Sequence, residues 1–173
     1  MWNRIKRVLK HRWLDGAHQR HALAPAVLER LTQRVAASEQ RHSGEIRIVV
    51  ESSLPTSYLW RKASMPQIVR QRAVTLFGKL RVWDTAHNNG VLIYLLLAER
   101  AIEIVADRGL NEHVTPQQWQ AMIHHLRAAF QEGRHEDGLT ETLEEISALL
   151  VRHFALAPGD ANPNELPDRP DVN

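Results

Sequence analysis

The chain of 173 residues contains no cysteine. Disulfides, thiolate zinc sites, Cys-x-x-Cys redox chemistry and a cysteine nucleophile are therefore excluded, and a reducing compartment fits. No run approaches the roughly eighteen uncharged apolar residues of a membrane span, and the opening "MWNRIKRVLKHRWL" lacks the apolar stretch of a secretion signal. The expected location is the cytoplasm, peripheral to the inner face of the membrane. Also missing are a Gly-x-Ser-x-Gly elbow, a Gly-x-Gly-x-x-Gly or P-loop, and a His-Glu-x-x-His pair. "RHSG" at 41–44 stands at a helix end without the rest of a histidine-phosphatase pattern.

What charge there is sits unevenly. The whole chain carries +2, yet residues 1–24 hold six Lys/Arg against Asp15, which is +5 and leaves −3 for the remainder. Within that arm Trp2, Ile5, Leu9 and Trp13 recur at three- and four-residue steps, with Arg4, Arg7 and Lys10 on other faces. This predicts a basic amphipathic helix. Two readings stay open: a terminal helix docked on its own domain, or one lying in a membrane interface through Trp2, Arg4, Ile5, Arg7, Leu9, Lys10 and Trp13. Nucleic acid ranks below both, since only the arm's charge speaks for it.

From residue 25 the pattern is that of an ordered domain. Pro25 opens a helix through Val27, Leu28, Leu31 and Val35 that is stopped by Gly44. "EIRIVVE" at 45–51 alternates as a strand. Ile68, Val69, Ala73, Leu76, Phe77 and Leu80 give a crossover helix between about Ser64 and Leu80. "GVLIYLLLA" at 90–98 is apolar at both parities, as a central strand must be, and "AIEIVAD" at 101–107 is a third strand after a tight turn at Glu99-Arg100. Thr115, Pro116 and Gln118 spell a capping box for a helix through Trp119 to Phe130, and a last helix covers about Gly138 to His153. The segment 155–173, with four prolines, several acids and no aromatic, is expected to be disordered. The strand–helix–strand unit makes the first two strands parallel, and the tight turn makes the third antiparallel. The result is an α/β fold, a three-layer α/β/α sandwich around a small mixed sheet. Its divisions are an arm at 1–24, a domain at 25–154 and a tail at 155–173.

A two-residue turn at 99–100 pairs residues summing to 199, so that Gly90 faces Gly109 and Leu92 faces Asp107. One end of the sheet then collects Asp84, His87, Asn88, Asn89, Asp107, Asn111, Glu112 and Glu45. Apart from His87 these are oxygen donors, suited to calcium or magnesium rather than zinc. The competing reading is that Asn-Asn-Gly and Asp-Arg-Gly only form turns with positive φ.

The ordered blocks "NNGVLIYLLLAER", "IVADRGL" and "FQEGRHEDGL", followed by an amphipathic helix, resemble the TPM domain family. That family includes thylakoid-lumen acid-phosphatase-like proteins, many bacterial envelope proteins and an animal receptor accessory protein. The resemblance spans about residues 25–154. It implies a small mixed sheet between helices, a metal-binding end of that sheet and, for some members, phosphatase activity. Asn88 stands where the family carries Asp before Asn-Gly, and Asn111 where it carries Glu after Gly-Leu. With two carboxylates replaced, Asp84 and Asp107 are the strongest remaining ligands of a weakly bound Ca2+ or Mg2+ at Asp84, Asn88, Asn89, Asp107, Asn111 and Glu112. The expected function is a non-catalytic, divalent-cation-binding interaction module at a membrane surface or membrane-protein assembly, with no small-molecule cofactor. The alternative is a metal-dependent phosphatase acting on phosphomonoesters, in which a bound water attacks phosphate.

Overall fold

A computed structural model describes residues 24–173. The arm helix, with Trp2, Arg4, Ile5, Arg7, Leu9, Lys10 and Trp13, lies outside the described residues. The elements in order are α1 (Pro25–Glu39), β1 (Ile46–Glu51), α2 (Thr56–Leu59), α3 (Met65–Lys79), β2 (Val91–Leu96) and β3 (Ala101–Ala106). There follow α4 (Arg108–Asn111), α5 (Pro116–Gln131), α6 (His135–Phe154) and β4 (Asp171–Val172). No helix among the described residues is long and apolar enough to cross a membrane.

The sheet has the order β3-β2-β1-β4. β1 runs parallel to β2 from Ile46↔Val91 to Glu51↔Leu96, and β3 runs antiparallel to β2 from Val91↔Ala106 to Leu96↔Ala101. The parallel pair follows from the crossover through α3, and the α/β/α sandwich is the architecture expected. Every residue of β2 is buried, because side chains of both parities meet helices. Val91, Ile93 and Leu95 join a first core beneath α1, α5 and α6; Leu92, Tyr94 and Leu96 join a second beneath α2 and α3.

Local chemistry sets the helix starts. Ser64 caps α3 in a box with Gln67, whose Oε1 accepts the Ser64 N–H at 3.0 Å. Thr115 caps α5 in the same way with Gln118 at 2.8 Å. α6 begins with Glu136 and Asp137 and ends with Arg152 and His153, matching the helix dipole at both ends. Gly138 lets α6 lie close to α5, since a Cβ there would come 2.7 Å from Ala129 Cβ.

Two expectations are corrected. The hairpin is not a two-residue turn: Leu97–Glu99 form a 3-10 turn and Arg100 takes the left-handed conformation at φ 48°. The four-residue connection moves the pairing sum from 199 to 197, so Leu92 faces Val105. A shift of two leaves every side chain on its expected face. The tail, expected to be disordered, runs along the free edge of β1 and ends as β4, pairing parallel at Val49↔Asp171 and Val50↔Val172. Its prolines cannot donate to a ladder, which restricts them to such an edge.

Candidate functional site

The loop before β2 and the end of β3 do meet. Gly90 O accepts the Asp107 N–H at 2.9 Å, and Asn88 O accepts the Gly109 N–H at 2.9 Å. Both glycines are required here by space. A Cβ on Gly90 would sit 1.9 Å from Val82 O, and one on Gly109 would sit 2.7 Å from the carbonyl oxygens of His87 and Asn88. The positive φ expected of these turns is present in Asn-Asn-Gly, on Asn88 at 52°, and absent from Asp-Arg-Gly. The Asn-Gly and Arg-Gly pairs therefore let the backbones come into contact at this junction.

Asn89 is fully buried at this junction. Its N–H donates to Thr85 Oγ1 at 3.1 Å and its Nδ2 to Ser43 Oγ at 3.2 Å, tying the loop to the segment that leads into β1. Its Oδ1 is buried and meets no hydrogen-bond donor among the described residues. Asp107 shows the same asymmetry. Oδ1 accepts the Arg108 N–H at 2.7 Å and caps the short helix α4, while Oδ2 is buried without a donor. Orphaned oxygens of this kind are costly and need a reason.

The other expected ligands are engaged or solvent-facing. Asp84 is exposed and paired with Arg81. Asn88 Oδ1 accepts from Arg108 Nη2 at 2.9 Å. Asn111 Oδ1 accepts from Trp119 Nε1 at 3.0 Å, and its Nδ2 donates to Ala106 O at 2.7 Å. Glu112 closes α4 on the exposed surface, and His87 is exposed as well. Glu45 is buried at the start of β1 with both oxygens taken by tail N–H groups. No group of three or more His, Asp or Glu among the described residues is arranged to hold a metal. The donor set thus offers two buried, unpartnered oxygens, those of Asn89 and Asp107, and a third only where Arg108 releases Asn88.

Beside this junction lies a buried polar cluster that sequence reading did not single out. Glu39 is buried, its Oε1 accepts the Ile46 N–H at 2.9 Å, and its Oε2 has no donor among the described residues. Asp168, from the tail, also has a buried Oδ1, and its carboxylate shares a side-chain hydrogen bond with Glu39 that favours the protonated form of the latter. Burial first, then the nearby charges of Glu45 and Asp168, push the Glu39 carboxyl up to about 9. The protonated form is the one this burial favours. His42 is fully buried, with Nε2 2.8 Å from Ser38 Oγ and Nδ1 3.1 Å from Gly44 O; burial lowers it to about 4. The tail also reaches the loop itself, where Glu165 Oε2 accepts the Ala86 N–H at 3.2 Å. These groups come from segments up to 129 residues apart by their numbers, Glu39 to Asp168. No local pattern marks them.

The profile of the TPM domain family matches residues 17–149. Among solved structures, the BA42 protein from the psychrophilic bacterium Bizionia argentinensis is similar, with a TM-score of 0.72 and 24% identity. That match covers 87% of this chain and 95% of that one. The N-terminal domain of a protein from P. gingivalis is similar at a TM-score of 0.61 and 20% identity, over 83% of this chain and 92% of that one. At these identities the likeness is one of fold. No curated protein matches.

Proposed function

This chain belongs to the TPM domain family, and from that premise we propose that it is a non-catalytic interaction module. It binds a divalent cation weakly at the junction of the β2 and β3 loops, and it docks to a membrane surface or membrane-protein assembly through its basic arm. The observation that carries the cation reading is the pair of buried oxygens without donors, Asn89 Oδ1 and Asp107 Oδ2, on two loops locked together by main-chain hydrogen bonds. Two partial ligands of this kind favour a hard cation that keeps most of its water. The arm reading rests on the six Lys/Arg and the Trp2, Ile5, Leu9, Trp13 stripe of residues 1–24.

Ligand charge tunes cation affinity. Asp107→Asn removes the only carboxylate among the unpartnered oxygens of the junction and is expected to weaken calcium binding about ten-fold in calorimetry, a change of about 1.4 kcal/mol. An unchanged affinity places the cation elsewhere. For the arm, full-length protein should float with anionic vesicles, and the Arg4→Glu, Arg7→Glu, Lys10→Glu variant should stay behind. Equal recovery of the two overturns the membrane half of the proposal.

A further inference from the structure

On the second face α3 packs over β2 and β3, which leaves the start of β1 to be covered by other means. The segment from Asn162 to Asn173 provides that cover. Glu45, fully buried on β1's leading end, accepts the Glu165 N–H on one oxygen and the Leu166 N–H on the other, each at 3.1 Å. Arg47, nearly as buried, donates to the carbonyls of Pro167 and Arg169, the latter at 2.8 Å, and lies 3.8 Å from Asp171. Leu166 enters the second core. Beyond it the Asn173 N–H donates to Val50 O at 2.9 Å, and Asn173 O accepts the Ser52 N–H at 2.8 Å.

Two opposite charges on one strand are thus used mainly on the main chain of an extended segment, which is how a sheet edge reads a peptide. The carboxylate demands two successive N–H groups, so neither Glu165 nor Leu166 could be proline. The guanidinium fork reads two carbonyls two residues apart, and the Leu166 pocket between the charges sets the register. The Pro-Asp pairs at 167–168 and 170–171 repeat every three residues. That is the period of a polyproline II segment, whose carbonyls have no internal partners.

We propose that the Glu45–Arg47 edge of β1 is a peptide-recognition site for extended acidic segments of the form Leu-Pro-Asp-x-Pro-Asp, filled here by the chain's own C-terminal segment and opened when a partner protein supplies such a segment. The tethered segment competes at a high effective concentration, so a free peptide binds the intact chain weakly. The site gives the interaction module a partner class. Its ligands differ from those proposed for the cation, because the Glu45 oxygens are both occupied by N–H groups; the tail also meets the Ala86 loop through Glu165, so peptide affinity and calcium affinity are read in separate measurements and each can fail while the other holds.

The test uses a fluorescein-labelled peptide of residues 160–173 and the full chain, read by fluorescence polarisation. Leu166→Asp expels the tethered segment and should bind the peptide at least ten-fold more tightly than the unaltered chain. Adding Glu45→Gln should take that gain away, and a peptide with Asp in place of its leucine should not bind. A folded Leu166→Asp chain that binds the peptide no better than the unaltered one overturns the proposal. If that variant does not fold, Leu166→Ala is read in the same way. Its Ser52 amide should also exchange faster than in the unaltered chain, and equal exchange together with equal peptide affinity is the contrary result.

Discussion

On one face of the sheet α1, α5 and α6 lay a continuous apolar layer over Ile46, Ile48, Val91, Ile93, Ile102 and Ile104. On the other, the long helix α3, the short α2 and a strip of extended chain cover a surface that includes Glu45, Arg47, Glu51 and Glu103. The first face needs only shape, because apolar burial is non-directional. The second needs partners, because each buried charge must be matched. Arg72 of α3 forms a bidentate pair with Glu51, which also accepts the Tyr94 hydroxyl at 2.8 Å. Burial, reinforced by the Glu51 charge, raises the Tyr94 phenol far above its ordinary range. Arg70 reaches Glu103 at 3.3 Å and Ile104 O at 2.8 Å. The helix on this face is therefore held by two arginine clamps and the tail by one. Polar cover of this kind specifies position closely, and it is vulnerable to loss of either partner.

That contrast can be broken in order of expected effect. Arg72→Ala strands the buried Glu51 carboxylate and should cost about 3–5 kcal/mol in denaturant unfolding, while replacing Arg72, Glu51 and Tyr94 together by apolar residues of similar size should recover most of it. On the apolar face, Leu139→Ala at a fully buried site of α6 should cost about 2–5 kcal/mol, set by the cavity left behind. Leu166→Ala in the tail should cost less, about 1–2 kcal/mol, because Leu166 lies at the margin of the second core and the extended segment that carries it can relax into the space left. If Leu166→Ala matches Leu139→Ala, the tail is integral to the fold.

The buried acid and imidazole give a pH test. Glu39 stands at about 9 when folded against 4.5 ordinarily, so its contribution is whole below about 4.5 and is lost as pH rises toward 9. His42 stands at about 4 against 6.5, so its contribution is whole above about 6.5 and is lost as pH falls toward 4. Between those limits folding moves one proton from His42 to Glu39, and the two slopes cancel. Their joint contribution is a plateau between about pH 4.5 and 6.5, then a decline of up to about 1.4 kcal/mol per pH unit toward pH 9. Glu39→Gln should remove that alkaline decline in urea titrations at pH 7, 8 and 9; a persistent slope would assign it to another group. Smallest is Thr115→Ala, which deletes the α5 cap and should cost about 1 kcal/mol.

The apolar face was the more legible of the two in the sequence. Its helices carry apolar residues at three- and four-residue steps, β2 is apolar at both parities, and the Thr115 box names its own position. The meeting of the Asn88-Asn89 loop with Asp107 also followed, because parallel and antiparallel connections fix which strand ends coincide. The hairpin register missed by two, since Leu97–Glu99 wind into a 3-10 turn that apolar periodicity cannot distinguish from strand. The tail was misread because its prolines and acids match a disordered composition. Leu166 is its single deep anchor, and Glu45 and Arg47, which receive its backbone, are more than a hundred residues away. Within the candidate site the carboxylates and amides were visible as types. Their partners Arg81, Arg108 and Trp119 were not, because such pairing depends on side-chain placement that residue spacing does not encode.

The most direct test of the account is a calcium and magnesium titration of the full chain followed through backbone amide signals. Shifts confined to Asn88–Gly90 and Asp107–Asn111, saturating at millimolar cation and leaving the Glu165 and Leu166 amides unmoved, are the predicted result. No shift at those residues, or shifts centred instead on the tail and Glu45, would contradict it.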